Sequence, residues 1–449
     1  MPLPDVEHAD YFAQVEELLH QDERSYVPPP PVEFDEDLVT FQRPAGVDYG
    51  HRLKALLFTL DPAIAMLNHG SYGACAKPVL AVRSAYLALQ EFEPVKFFSE
   101  LGPRLVRVLR ILAAYLGVAP AHISLVPNAS AGTTMVLRSL PLTASHHVVS
   151  FDLGYNAVNK QIEHVCAASG ARHVVVRTSP PYTHARIIDA FEQVLRTIEC
   201  IGVVVVDHIT SSTGIIMPIE DIILLCRSRQ IPVLVDGAHA IGQVPIDLAS
   251  LQPDFYVSNL HKWLLAPKSS AFLYIRDAAR KSVRVQPTTV SHGYGLGYGA
   301  ELGYLGTLDY SAWLAVPAAL AFHTAMGGAS LARRNHDVCV AAASAVAAAW
   351  GTSLLVEDTR LFGSFCVVVL PARLFPFPLS DTQKLRHGLT SLHHVLRAEY
   401  AIEAMCMLCA EATPGIRIAV QMYNEPADYA QLTAAVLDII ARTDIVVEP

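Results

Sequence analysis

An α/β fold, with a mostly parallel sheet flanked by helices and a smaller C-terminal α+β domain, is predicted by three features of the sequence. Between residues 79 and 290, short apolar runs rich in Val and Ile alternate with helix-length segments. The runs are continuous and do not alternate in polarity, as expected of strands buried on both faces of a parallel sheet. Polar residues follow the runs at once, and in open parallel sheets ligands bind beyond the carboxyl ends of the strands.

Residues 1–60 read as an acidic, Pro-containing arm. The first 50 residues hold 12 Asp and Glu against two Arg and no Lys, so they carry a net charge of −10 in a chain whose total is −9. A short helix is expected near 11–20, and the proline run between Val27 and Val32 is extended or irregular. A large domain over 61–325 follows. Its strands are expected at 147–151, 173–176, 201–206, 232–235, 255–257 and 271–274, with helices at 131–140, 156–168, 186–198 and 219–228. After the glycine-rich stretch Gly293-Tyr-Gly-Leu-Gly-Tyr-Gly299 come helices at 312–325 and 331–349. The uncharged stretch 338–356 is mostly Ala, and Gly351-Thr352-Ser353 divides it into a buried helix and a strand, since a spanning helix needs about 20 strongly apolar residues. The smaller domain occupies 326–449, with strands and helices over 354–440.

Composition narrows the function. Of 449 residues, 52% are hydrophobic and 17% charged, which is too apolar for a disordered chain and points to a subunit interface. No basic stripe interleaved with aromatics appears, so nucleic acid is not an expected partner. The N-terminus lacks the basic and apolar regions of a signal peptide and is acidic where a transit peptide is Arg-rich, so a cytoplasmic location is expected. Eight scattered cysteines suit reduced thiols. Cys406-x-x-Cys409 has no second ligand pair, so it reads as buried packing or a turn, and no metal is expected.

Three strand ends carry the chemistry. Pro232-Val-Leu-Val-Asp236-Gly-Ala-His239 puts a carboxylate directly after a buried strand and a histidine three residues on. Phe255-Tyr-Val-Ser258-Asn-Leu-His261-Lys262 ends a second strand in a hydroxyl, an imidazole and an amine, and a desolvated amine there becomes nucleophilic. Leu125-Val-Pro-Asn128-Ala-Ser130-Ala-Gly132 is a small-residue turn opening a helix, where free amides suit a phosphate. Each piece alone is bland: a post-strand Asp is as often a helix cap, and a Lys beside Trp is usually a snorkelling surface side chain. Together they supply what pyridoxal 5'-phosphate (PLP) needs: an amine for its aldehyde, a carboxylate for its ring nitrogen and a dipole end for its phosphate.

The motifs Asn68-His-Gly-Ser71-Tyr-Gly73, Asn128-Ala-Ser130, Gly154-Tyr155, Asp207-His-Ile-Thr-Ser211-x-Thr-Gly214, Val235-Asp236-Gly-Ala-His239, His261-Lys262-Trp, Gly306-Thr307-x-Asp309 and Arg417-Ile-x-x-Gln-x-Tyr-Asn424 occur in this order over about 64–440. This pattern resembles the class V aminotransferase family of PLP fold type I. Within it the chain is most similar to the isopenicillin N epimerase-like branch, which includes ergothioneine-pathway C–S lyases. The resemblance implies that Lys262 forms the Schiff base and moves the Cα proton, that Asp236 pairs with the ring nitrogen, that Tyr155 stacks on the ring and that His239 lies beside it. It implies phosphate contacts from Ala129, Ser130, Ser258 and His261. Thr307 is implied to reach the phosphate of a neighbouring subunit, hence a homodimer with shared sites. Arg417 is the implied clamp on the substrate carboxylate, with Asn68 and Ser71 on the substrate side, while Thr210, Ser211 and Ser212 are rivals for facing the cofactor's phenolic oxygen. Where the family has Pro-Lys-Gly after the lysine, this chain has Pro267-Lys268-Ser269, and Lys268 is rejected as the Schiff-base lysine because it follows a proline beyond the strand end.

The expected reaction is β-elimination by a C–S lyase on a cysteine-derived amino acid such as hercynylcysteine sulfoxide. Amino-acid epimerase or aminotransferase is the alternative. A cysteine desulfurase is disfavoured, because Cys409 lies only eight residues before Arg417. A non-catalytic PLP-fold scaffold is opposed by the joint presence of Lys262, Asp236 and Arg417.

Overall fold

The structure is a computed structural model that describes residues 8–29, 41–409 and 412–442. A seven-stranded sheet forms its centre: β1 (Ile123–Val126), β2 (His147–Phe151), β3 (Arg172–Val176), β4 (Ile201–Asp207), β5 (Val233–Asp236), β6 (Phe255–Asn259) and β7 (Ala271–Ile275). The order across it is β1-β7-β6-β5-β4-β2-β3, with β7 antiparallel to both neighbours and the rest parallel. The Val203–Val206 run of β4 is buried throughout, as its unbroken apolarity demands. The chain passes from β2 outward to β3, then crosses back to β4 on the other side of β2. The order therefore reverses between β2 and β4, and that crevice is where open sheets bind ligands.

Amphipathic helices cover both faces. α1 (His8–His20) precedes the sheet, α2 (Leu101–Leu116) packs beside β1, and α3 (Ala129–Ser139) leaves the end of β1 under an Asn128 cap whose side chain accepts from the Ala131 amide. α4 (Asn156–Ser169), α5 (His184–Thr197) and α6 (Ile219–Arg227) make the crossovers. The predicted helix at 312–325 is split into Ser311–Leu314 and Val316–Ala325, with Pro317 in the first turn of the second piece. α7 (Ala329–Trp350) then leads to a three-stranded antiparallel sheet of β8 (Phe365–Val369), β9 (Met405–Leu408) and β10 (Pro414–Ala419), in the order β9-β10-β8. Among the described residues no single helix is long and apolar enough to cross a membrane; the pair Ser311–Ala325 and Ala329–Trp350 passes by composition only together and is bent by 65°.

Part of the acidic arm is docked on this body. Val15 and Leu19 of α1 are buried. Arg110 of α2, itself buried, donates to the carbonyls of Leu18 and Gln21, pairs with Glu23 at 2.7 Å and stacks on Tyr26 at 4.0 Å. Residues 30–40, including part of the proline run, lie outside the described residues.

Candidate active site

The carboxyl ends of β1, β2, β4, β5 and β6 open into one cavity of about 160 Å³, whose lining includes Ser130, Tyr155, Asp207, Asp236 and Lys262. Lys262 is carried there by a turn three residues beyond β6. That turn is held from above by Gly73, at φ +68°, where a Cβ would lie 2.1 Å from the His261 carbonyl and 2.8 Å from Lys262 Cα. Only glycine permits this approach, so the segment bearing Asn68 and Ser71 is pinned to the lysine.

Lys262 Nζ lies 2.9 Å from His239 Nε2, and Trp263 Nε1 donates to His239 Nδ1 at 3.3 Å. A neutral imidazole that accepts at Nδ1 carries its proton on Nε2. His239 therefore donates to Lys262, which must offer a lone pair, so this geometry selects the unprotonated amine. The electrostatics agree. Burial lowers the lysine to about 8, with Asp236 opposing and Arg417 adding to the shift. Burial and then Lys262 hold His239 well below the ordinary histidine range. Trp263 is buried and stacked on Phe365 at 5.6 Å, so this Lys-Trp pair is core, not a snorkelling surface pair.

Asp236 and Asp207 are register partners at the ends of β5 and β4. Burial raises both, and Asp207 rises further because Asp236 is beside it. Among the described lining residues Lys262 is the sole side chain that is cationic at its ordinary pKa, since burial also lowers His261 to about 4.

The anion cradle differs from the expectation in two respects. Ser258 does not line the cavity: its hydroxyl is buried between strands and donates to the Gly237 carbonyl. Side chains alternate along β6, so its neighbour Asn259 takes the cavity face. Asn259 Oδ1 accepts from the Ala129 amide at 2.8 Å, so that amide is committed and Ala129 contributes the wall only. What remains is the Ser130 amide and hydroxyl at the start of α3, with the Asn259 Nδ2 group beside them. His261 donates from Nδ1 to the Ser270 carbonyl at 3.0 Å and lines the cavity as well. Asn259→Ala is therefore expected to raise the PLP dissociation constant about tenfold in equilibrium dialysis, the value of one hydrogen bond to a charged group. Ser258→Ala should leave that constant within about twofold and lower the melting temperature instead; equal effects on binding would reject this assignment.

Arg417, in β10, is 2% exposed. It donates from Nη2 to Asn68 Oδ1 at 2.9 Å and Ser71 Oγ at 2.8 Å, and from Nη1 to the Ser211 carbonyl, and lies over the Phe365 ring at 5.4 Å, while Nε has no hydrogen-bond partner among the described residues. Burial lowers it to about 10. Its hydrogen-bond partners are neutral oxygens, so the buried guanidinium charge is not paired by them; Ser71 and Ser211 line the cavity, while Arg417 and Asn68 lie behind them, outside that lining. Of the three rivals in the Asp207–Gly214 turn, Ser211 lines the cavity, whereas Thr210 is tied to Thr213 at 2.6 Å and to the Ile215 amide at 2.8 Å. Lys268 donates to the Gly73 carbonyl at 3.0 Å, outside the lining. Ser269 sits at φ +70°, where the family's glycine would be at ease, at a cost of about 1–2 kcal/mol. Tyr155 lines the cavity mouth and is 43% exposed, while Thr307 is exposed and outside this chain's own lining. Asn259 and Asp207 were not singled out from sequence. Strand alternation would have found the first, and the β4 register the second.

The residues fit PLP. The selected neutral amine suits an aldehyde, the carboxylates lack a cation that a ring nitrogen would supply, and the Ser130 corner is an anion cradle at a helix N-terminus. A fold with these strand ends around such a lysine belongs to the PLP-dependent enzymes of fold type I.

Comparison with known proteins then gives the family. The Aminotransferase class-V family model matches residues 110–371, and this chain belongs to that family of PLP-dependent enzymes. Putative L-cysteine desulfhydrase 1 of Oryza sativa subsp. japonica is 31% identical over 425 residues, covering 89% of this chain and 88% of its own. Isopenicillin N epimerase of Streptomyces clavuligerus is 29% identical over 401 residues, covering 84% and 95%. Among solved structures, the cystine C–S lyase C-DES in complex with its product cysteine persulfide superposes with TM-score 0.71 at 19% identity, over 84% of this chain and 97% of that one. Cysteine desulfurase from Thermococcus onnurineus NA1 gives TM-score 0.73 at 14% identity, over 88% and 99%.

Proposed function

We propose that this protein is a PLP-dependent C–S lyase that cleaves the Cβ–S bond of L-cysteine or a cysteine-derived amino acid by β-elimination. For L-cysteine the balance is cysteine plus water to pyruvate, ammonia and hydrogen sulfide. Relatives named L-cysteine desulfhydrase favour L-cysteine over the larger hercynylcysteine sulfoxide as the first substrate to test. The observation that carries the reading is that no thiol lines the cavity among the described residues. Cys406 pairs in register with Ile416 of β10, one residue from Arg417, and so sits on the opposite face of that sheet from the guanidinium. Burial raises both thiols of the Cys-x-x-Cys pair, Cys409 to about 12, so neither is a ready nucleophile. Sulfur then leaves as free product and is not parked on the protein.

When bound, PLP supplies an electron sink for the charge left at Cα. Asp236 keeps the ring nitrogen protonated. Arg417, steadied by Asn68, Ser71 and the Ser211 carbonyl, holds the substrate carboxylate and thereby turns the Cα–H bond toward Lys262. Lys262 Nζ takes that proton, and His239 aims the amine by donating to its neutral form. His239, buried and neutral, adds no competing positive charge.

Product analysis with L-cysteine tests the reading. Pyruvate with ammonia and sulfide is expected; an intact carbon skeleton inverted at Cα would instead establish an epimerase, and a keto acid with pyridoxamine phosphate an aminotransferase. Replacing Cys406 and Cys409 together with Ser should leave the rate within about twofold, as for buried packing residues of similar size. Loss of activity in the folded variant, with persulfide on either wild-type thiol, would make the enzyme a desulfurase.

The same reading includes a homodimer. Thr307 is exposed next to Leu308, and Tyr294 and Leu296 of the preceding glycine-rich stretch are exposed as well, an apolar face suited to a second subunit. Sedimentation at micromolar concentration should give twice the 48.8 kDa chain mass, and a monomeric active enzyme would refute it. The eight cysteines are all free, which suits a reducing compartment such as the cytoplasm.

A further inference from the structure

The motif Asn68-His-Gly-Ser71-Tyr-Gly73 holds one buried titratable group that the reaction above does not use. His69 opens the short helical turn His69–Tyr72 and is fully buried. Its Nε2 lies 3.1 Å from the Lys262 carbonyl, and its Nδ1 lies 2.8 Å from the hydroxyl of Tyr423, in the segment after β10. A carbonyl only accepts, so Nε2 carries the proton and donates to it. Burial pushes the imidazole down to about 3, so it is neutral and Nδ1 must accept from Tyr423. Gln421 Nε2 lies 3.4 Å from the same His69 Nε2, and Gln421 Oε1 is taken by Asn335 Nδ2 and the Met422 amide. Two hydrogen-bearing nitrogens face each other there, so this contact is packing and not a bond. The ring rests against Trp263 at 4.8 Å and Tyr423 at 5.8 Å. One residue on, a Cβ on Gly70 would lie 3.5 Å from both Trp263 Cζ2 and His239 Cε1. The segment therefore backs every member of the Trp263, His239 and Lys262 chain.

We infer that His69 is a positioning residue for Lys262: with its tautomer set by the Tyr423 hydroxyl, it holds the Lys262 carbonyl and so keeps the amine within reach of His239. This rests on the reading of Lys262 as the lysine that takes the cofactor. The Lys262 carbonyl has two donors. The Leu265 amide at 3.2 Å closes the turn upon itself, whereas His69 ties the turn to the segment beside it. A lysine side chain is a flexible four-carbon stem, so its amine is aimed only when the chain is fixed at the root as well as at the tip. His239 holds the tip at 2.9 Å, and His69 holds the root. A misplacement of about 1 Å at a reacting atom can cost about 100-fold. Gly73 and Lys268 also hold this turn, the first by close approach and the second through the Gly73 carbonyl, so loss of His69 should shift the lysine by part of that and not release it.

The test reads cofactor capture apart from turnover. His69→Leu removes both bonds. Its apoprotein should capture PLP about tenfold more slowly, and kcat of its holoenzyme with L-cysteine should fall about tenfold with KM within about twofold, since aim is lost and not substrate binding. Pyridoxamine 5'-phosphate has no aldehyde for the amine, so its dissociation constant reports the pocket alone and should stay within about twofold. His69→Gln keeps one N–H donor and one acceptor and should recover most of both rates. Tyr423→Phe alone should slow capture about threefold, but less than about twofold further in a His69→Leu background, because the two residues act as one chain. A merely structural role would weaken pyridoxamine phosphate binding in step with the rates and leave His69→Gln no better than His69→Leu, and either result overturns the inference. So does capture at the wild-type rate in His69→Leu. If Lys262→Ala itself captures PLP covalently at the wild-type rate, read by borohydride reduction, the lysine reading fails and takes this inference with it. Capture abolished there but unchanged in His69→Leu defeats the inference alone. Capture needs no substrate, so a failure to cleave L-cysteine leaves this test standing. Should His69→Leu not fold, Tyr423→Phe, which keeps its ring, carries the same measurements.

Discussion

Lys262→Ala should reduce turnover by about 10⁴-fold or more, since a positioned acid–base group alone supplies roughly 10²–10⁴ and the nucleophilic amine is lost with it. The cofactor should still be taken up, because the Ser130 and Asn259 corner is untouched. A small primary amine such as methylamine should restore part of the rate by entering the space the side chain vacates. Borohydride reduction of the wild type followed by peptide mapping should place the pyridoxyl group on Lys262, and a label on Lys268 would overturn the assignment. The electrostatics add a pH test. With burial holding the lysine at about 8, roughly one amine in ten is neutral at pH 7, against a few in ten thousand for an ordinary lysine near 10.4. Capture of PLP by the apoprotein should therefore accelerate from pH 6 to 8 and level off above it, and a rise continuing to pH 10 would show an unperturbed lysine.

The fold and the amine were legible for physical reasons, and so were the failures. Continuous apolar runs mark doubly buried strands, and His147–Phe151 appears where that pattern placed it. The same continuity cannot report direction, so the antiparallel β7 reads from sequence like its parallel neighbours. In the site, Asp236, His239 and Lys262 could be singled out because each lies at, or within three residues of, the end of a buried run. Ser258 failed because a strand alternates faces, and one position decides whether a hydroxyl meets the cavity or a carbonyl in the sheet. Asp207 was quoted within a motif but given no task, because its partner Asp236 is 29 residues away and only the register of β4 and β5 joins them. The docking of α1 was hidden by composition: the charge count weights its acidic residues, while its burial depends on Val15, Leu19 and an Arg110 distant in sequence.

Asp236→Asn should bind PLP with an affinity within a few fold of the wild type, yet slow exchange of the substrate Cα proton by about 10³-fold, equivalent to about 4 kcal/mol of barrier. The affinity is preserved because the phosphate corner and Lys262 are unchanged and because asparagine fills the same volume beside the Ala238 amide. The rate falls because a neutral amide has no charge with which to keep the ring nitrogen protonated, and the electron sink weakens with it. Asp207 offers the obvious route to rescue, being a second carboxyl group in the same cavity. Its strand lies about 4.8 Å from β5, however, whereas a charge-assisted hydrogen bond closes at about 2.7–2.9 Å, so it cannot take over without moving the ring. The single variant should therefore be as slow as Asp207→Asn/Asp236→Asn in α-deuterium exchange. A wild-type exchange rate in Asp236→Asn would remove the role from Asp236, and a further loss of tenfold or more in the double variant would show that Asp207 had assumed it.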